Sequence, residues 1–270
     1  EQRHAGQLSF LNSGQAAEGQ MLFCGLTPFS FPLSFGIMAG KGGLTMDFKP
    51  IARMHSVFPT KFGVPRQSGL AAELDSLLVF EPEYRNPDAL RGLEGFSHVW
   101  LIWVFHQAVR EGWSPTVRPP RLGGNARLGV FATRSPFRPN PIGLSAAELA
   151  GVEHSPEFGP CLRLRGADLV DGTPVLDVKP YVPYADAIPD AKGGFAAAPP
   201  TSERLVVDFP PALLEKVPPE LREGLRAVLA LDPRPRYQND PERVYGFGFA
   251  GLEVRFSVDG KTLTVRDILP

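Results

Sequence analysis

The sequence predicts a mainly β fold of short antiparallel strands, followed by a small α+β unit at the C-terminal end. Three observations carry this expectation. The 270 residues include 29 prolines and 28 glycines, about one position in five, and such frequent breakers stop helices from growing long. Several short apolar runs either alternate with polar residues or are bounded by them, as strands are. No helical pattern recurs between these runs, which disfavours a βαβ parallel sheet against an antiparallel sheet or barrel.

The elements follow in chain order. His98-Val-Trp-Leu-Ile-Trp-Val-Phe105 is bulky and continuously apolar, which suits a strand buried on both faces. Leu128 to Thr133 is a second strand candidate, and Cys161 to Arg165 alternates like a half-buried third. Val175 to Tyr181 is a fourth, with Leu176 and Val178 expected on one face and Asp177 and Lys179 on the other. Residues 189–203 are small and rich in Pro and Gly, and read as a linker. Pro219 to Leu231 has a helix entry at Pro-Pro and a stop before Asp232-Pro233. Leu252 to Val258 alternates, Asp259-Gly260 turns the chain, and Lys261 to Arg266 returns as a hairpin strand. The expected organisation is an extension at 1–45, a barrel domain at 46–188, a linker at 189–203 and an α+β domain at 204–270.

Composition excludes some classes. The 28 Lys+Arg and 29 Asp+Glu nearly cancel to a net charge of −1, so nucleic-acid binding requires a local patch. Two cysteines, Cys24 and Cys161, can build neither a disulfide framework nor a cysteine zinc site, and they fit a reducing, cytoplasmic compartment. Residues 19–40 carry no charge, yet Gly25, Pro28, Pro32, Gly36 and Gly40 interrupt them. A membrane span or signal peptide is therefore less expected than a non-native or poorly ordered extension. Met46 then opens a segment that reads like an ordinary start.

Residues 112–147 contain no Asp or Glu and hold Arg118, Arg121, Arg127, Arg134 and Arg138. As residues alone, the run fits either solvated side chains on loops or a basic face for RNA phosphates. Arginine favours the second, because its planar fork meets phosphate or carboxylate bidentately. Asn140 stands between Pro139 and Pro141. It reads either as an Asn-Pro turn or as a stiffly presented amide able to pair with a base edge. Asp171-Gly172-Thr173-Pro174 is a turn that can also hold a polar small molecule. His98 opens the apolar run, and His106 ends it beside Gln107. Neither has metal-ligand spacing, and no metal is expected. Walker A, GxSxG and HExxH are absent from the sequence.

GVPRQSGL at 63–70, GLEGFSHVWLIWVFHQ at 92–107 and TVRPPRLGGNARLGVFATRSPFRPNPIG at 116–143 carry a resemblance. So do DLVDGTPVLDVKPYVPYAD at 168–186 and LDPRPRY at 231–237. From about Asp47 onward, the chain resembles the TrmO/TsaA-like family of S-adenosylmethionine-dependent tRNA methyltransferases. Family members methylate N6 of N6-threonylcarbamoyladenosine at tRNA position 37, beside the anticodon of threonine tRNAs. The resemblance implies a single-sheet antiparallel β-barrel, a smaller C-terminal domain and a homodimer.

It also implies a set of cofactor-binding positions. Pro65, Arg66 and Gln67 match the Pro-Arg-Gln turn, and His106 and Gln107 match the strand-end pair. Arg134 and Leu144 match later motifs, and Asp168, Leu169, Val170, Asp171, Gly172 and Thr173 match the Asp-Gly-Thr loop. An arginine suits the cofactor's carboxylate, and an aspartate suits its ammonium or ribose. Arg118, Arg121, Arg127 and Arg138 are assigned to tRNA phosphates, and Asn140 to the N6 group. The competing readings are an RNA-binding module that senses the cofactor without using it and a methyltransferase of small molecules.

Overall fold

The computed structural model describes residues 47–197, 204–234 and 240–270, with the backbone of three two-residue strands at Leu8–Ser9, Leu22–Phe23 and Phe35–Gly36. Apart from those strand backbones, the expectations for the extension and for the charge-free stretch at 19–40 lie outside the described residues, as do those for Cys24, for the end of the linker and for part of the LDPRPRY motif. Among the described residues, no helix is long and apolar enough to cross a membrane.

Six strands close into a barrel. They are β1 (Ala52–His55), β2 (Asp75–Phe80), β3 (His98–Val104), β4 (Ile142–Ser155), β5 (Gly159–Arg165) and β6 (Pro174–Pro180). The order around the ring is β4-β5-β2-β1-β6-β3, and β3 pairs back onto β4. Every neighbouring pair is antiparallel. Alternate side chains point inward: Ala52 and Met54 from β1, Val99 and Leu101 from β3, and Leu162 and Leu164 from β5 are all fully buried. Closure depends on β4, the longest strand. Its first half pairs with β3 and its second with β5, with a register shift between Leu149 and Gly151. Such a bulge bends the strand around the barrel.

The structure corrects three strand expectations. Trp100 and Ile102 of β3 are half-buried, so only one face of that strand is fully covered. Trp100 instead donates from Nε1 to Asp186 Oδ2 at 3.0 Å. In β6, the register shifts between Val175 and Asp177, and Val175 and Val178 therefore join the core in place of the Leu176–Val178 pair. Leu128–Thr133 is not one strand: Leu128–Gly129 pairs with Thr116–Val117, and a 3₁₀ turn follows at Val130–Ala132. The partner strand runs into Pro119 and Pro120, which have no N–H to extend the ladder.

Downstream, β7 (Val206–Asp208), β8 (Tyr245–Phe249), β9 (Leu252–Asp259) and β10 (Thr262–Leu269) form a second sheet in the order β7-β10-β9-β8. The β9–β10 hairpin turns at Gly260, with φ of 55°. A 3₁₀ turn at Pro219–Leu221 leads into a helix at Arg222–Ala230, which buries Leu225, Val228 and Leu229.

Residues 56–74 join the two sheets. Val57, Phe58, Ala71 and Leu74 lie in one apolar cluster with Leu225, Phe247, Phe249 and Phe256. The Ala250 N–H donates to the Val57 carbonyl at 2.8 Å. Close approach requires glycine at both ends of this contact. A Cβ on Gly63 would sit 2.3 Å from the Phe247 ring, and one on Gly248 would sit 2.6 Å from Pro59.

Gly63→Ala is therefore expected to destabilise the chain by about 2–4 kcal/mol, from overpacking and a positive φ together. Gly69→Ala is the control, because Gly69 also has a positive φ but nothing lies within 4 Å of its Cβ position. It should cost about 1 kcal/mol. Urea unfolding of both variants checks the difference, and equal losses would contradict the packing argument.

Candidate active site

Antiparallel pairing brings the end of β3 and the starts of β4 and β6 to the same rim of the barrel: Val104 faces Ile142, and Trp103 faces Val175. The loops at that rim enclose a cleft of about 690 Å³, within the range of roughly 300–1,000 Å³ for small-molecule sites. One wall is Val64 to Ser68, on the segment clamped by the C-terminal sheet. The others come from Phe105 to Ala108, from Thr133, Arg134 and Arg138, from Ile142 to Ala146, and from Asp168, Val170 and Thr173.

Most of the cofactor positions named from sequence converge here. Pro65, Arg66, Gln67, His106, Gln107, Arg134, Leu144, Asp168, Val170 and Thr173 all line the cleft. Leu169 packs inside the barrel core. Asp171 and Gly172 lie outside the lining, and their loop is bound to the strand beneath. Asp171 Oδ1 accepts from the Ser56 N–H at 3.0 Å, and the Gly172 N–H donates to Met54 O at 2.8 Å. The Asp171 carboxylate thus helps to shape the start of the clamped segment.

Asp168 is the electrostatic centre of the cleft. Its Oδ1 is buried and has no hydrogen-bond partner. Burial raises its pKa, while the Ser145 hydroxyl and the charge of Arg134 act in the opposite sense. Leaving such an acceptor unsatisfied costs about 1–3 kcal/mol, more when it is charged, so the position suits a cationic donor. Arg134 donates from Nη1 to Gln67 Oε1 at 3.1 Å, tying the arginine loop to the clamped segment. His106 is half-buried, and burial lowers its pKa, with Arg53 adding to the effect. It is neutral at physiological pH.

Sequence reasoning missed the aromatic wall. Trp103 and Phe105 line the cleft with ring centroids 4.2 Å apart. Trp103 donates from Nε1 to Ser145 Oγ at 3.1 Å. A Cβ on Gly143 would lie 2.3 Å from the indole, so glycine is what lets that ring lie against β4. The available signal was a Gly-x-Ser at 143–145 with an aromatic run elsewhere in the chain, but their juxtaposition depends on strand register.

The arginine run divides. Arg134 and Arg138 line the cleft, and Arg138 donates to the Thr133 carbonyl at 3.2 Å. Arg118, Arg121 and Arg127 belong to the adjoining Thr116–Gly129 hairpin, where Arg127 Nε donates to Thr116 Oγ1 at 3.0 Å. Asn140 is exposed and outside the lining, and its carbonyl accepts from the Ile142 N–H at 2.7 Å. Among the described residues, no cluster of His, Cys, Asp or Glu could hold a metal ion.

A closed antiparallel barrel with a charged cleft at its rim lies outside the doubly wound cofactor-binding class. The chain belongs to the tRNA-methyltransferase O family: the model of that family's N-terminal domain matches residues 53–187, and the model of its C-terminal domain matches 203–270. It is 47% identical over 222 residues to a tRNA (adenine(37)-N6)-methyltransferase of Escherichia coli K12, covering 79% of this chain and 94% of that one. It is 44% identical over 221 residues to a putative S-adenosylmethionine-dependent methyltransferase of Pseudomonas aeruginosa, covering 79% of this chain and 93% of that one. The crystal structure of TrmO from Pseudomonas aeruginosa superposes with a TM-score of 0.69 at 37% identity, covering 84% of this chain and 99% of that chain.

Asp168 sets a test with a definite sign. Its pKa is raised in the folded state, so the folded chain holds this proton more tightly than the unfolded chain. Stability then declines as pH rises from the unfolded carboxylate value through the raised one. Asp168→Asn should lack that part of the decline and unfold at a higher urea midpoint at pH 7. The same variant should bind S-adenosylmethionine at least roughly tenfold more weakly, as for a lost charged hydrogen bond. A lower midpoint at pH 7 together with unchanged calorimetric affinity would contradict the assignment.

Proposed function

We propose that this chain methylates N6 of N6-threonylcarbamoyladenosine at position 37 of threonine tRNAs, acting as a cytoplasmic homodimer. At the coarser level, it is an S-adenosylmethionine-dependent tRNA adenine-N6 methyltransferase, as its relatives are named. The observation that carries the reading is the unsatisfied Asp168 Oδ1 in the same cleft as Arg66 and Arg134. That donor set fits an amino-acid end bearing both an ammonium and a carboxylate.

S-adenosylmethionine supplies, when bound, a methyl group activated by its sulfonium charge. Asp168 holds the ammonium, Arg134 and Arg66 meet the carboxylate, and Trp103 and Phe105 offer an apolar face to the flat and aliphatic parts. The chain's chief contribution is to fix donor and acceptor in one orientation. The clamped 64–68 wall and the Arg134–Gln67 bond serve this by holding the rim in one shape. Asn140 is two residues from both Arg138 and Ile142, which line the cleft. It accepts a hydrogen bond from N6 as charge develops there. The single N6 proton that Asn140 orients leaves as the N6–methyl bond forms, and His106, kept neutral by burial, is a lining side chain able to take it. Arg118, Arg121, Arg127 and Arg138 meet backbone phosphates along the loop that presents the base.

Transfer of labelled methyl groups to purified threonine tRNA, with and without prior threonylcarbamoylation, tests the reading. Label should enter only the threonylcarbamoylated tRNA. Equal labelling of both would leave the coarser activity and remove the modified base as the required substrate. In the same assay, Asn140→Ala should slow single-turnover transfer by roughly 10²–10³, whereas a rate within a few-fold of wild type would return Asn140 to a turn role.

A further inference from the structure

A second, smaller hollow of about 200 Å³ adjoins the cleft. Ala108, Pro136 and Arg138 line both, so the two share a wall. The walls of the hollow include Val109, Arg110, Trp113 and Phe137. The Arg110 guanidinium lies over the Phe137 ring, 3.4 Å from its centroid, which makes a flat cationic surface. Trp113 is 52% exposed and Phe131 is 72% exposed, and their rings lie 6.0 Å apart at 30°. Large aromatic faces held open to water are unfavourable unless something covers them.

The surrounding charge indicates what that is. From Gly112 through Ala147 there is no acidic residue, and the cations are arginines throughout. Aromatic faces interleaved with arginine are how proteins hold unstacked bases of single-stranded RNA: rings stack on the bases while cations track the phosphates. An apolar peptide would need the rings but not the cations, and a lone phosphate would need the cations but not the rings. A hollow this small is below the size of a site for a whole cofactor and suits one planar ring.

We propose that Trp113, Phe131 and the Arg110–Phe137 stack form a platform for the nucleobase that flanks the target adenosine in an anticodon loop. The inference rests on the tRNA reading above and deepens it. Splaying a neighbouring base onto this platform would unstack the target base at the cleft mouth without any sequence-specific hydrogen bond.

The test measures binding rather than transfer, so that the two readings fail separately. The probe is a fluorescently labelled anticodon stem-loop of a threonine tRNA, either intact or with an abasic residue on one or the other side of position 37. Trp113→Ala should raise its Kd roughly 5- to 100-fold, the loss expected for one base–aromatic stack. Trp113→Phe should recover most of the affinity, and S-adenosylmethionine affinity should be unchanged in both variants. One abasic probe should lose a similar factor with the wild-type chain and little more with Trp113→Ala. An unchanged Kd for Trp113→Ala and Phe131→Ala, or losses that simply multiply with the abasic change, would overturn the platform. So would a fall in oligomeric mass of Trp113→Ala by light scattering, which would make the patch a contact between copies of the chain. If the stem-loop binds as expected while no methyl reaches tRNA, the platform stands and the proposed activity fails.

Discussion

The packing of residues 56–74 between the barrel and the C-terminal sheet determines the shape of the cleft. One flank of this segment is pinned to the barrel by Asp171, whose N–H donates to Phe58 O at 2.8 Å and whose carboxylate accepts from Ser56. The other flank is buried against Phe247 and Phe249, with Gly63 permitting the contact. Between these anchors, Pro65 is buried, while Arg66 and Gln67 remain exposed toward the cleft. Two well-separated anchors limit the freedom of the short stretch between them, and that fixed backbone gives two otherwise mobile polar side chains a defined place. The C-terminal sheet therefore acts on the cleft without contributing its own side chains to the lining.

The electrostatics of the site follow from the fold. Many cofactor enzymes meet charged groups with a helix N-terminus. Among the described residues, no helix longer than the 3₁₀ turn at His106–Ala108 borders this cleft, so charge must be met by side chains. Arginine suits that task because its donors are fixed in a plane. Asp168 supplies the opposite sign, and burial of its Oδ1 makes that charge costly.

Legibility in the sequence tracked local pattern. The His98 run, the Cys161 alternation, the Arg222–Ala230 helix and the final hairpin were all readable because their periodicity is contained within a few residues. β4 was not. Gly143, Ser145, Ala146, Ala147, Ala150 and Gly151 are weak strand formers, and pairing along both edges makes the strand. The Asp-Gly-Thr loop is legible as a loop, but the direction of the Asp171 side chain is not, since it depends on a partner 115 positions away. Trp103 reads as core in the sequence, because only register reveals that Gly143 lies opposite it.

Hydrogen exchange on the whole chain, with and without S-adenosylhomocysteine, tests most directly whether the clamped segment is a wall of the cofactor site. Slow exchange is expected in the Val57–Phe58 and Phe247–Phe249 amides in both states, with new protection on ligand addition at residues 64–68, 106–107 and 133–134. Protection confined to residues elsewhere, with 64–68 exchanging at the same rate with and without ligand, would contradict it.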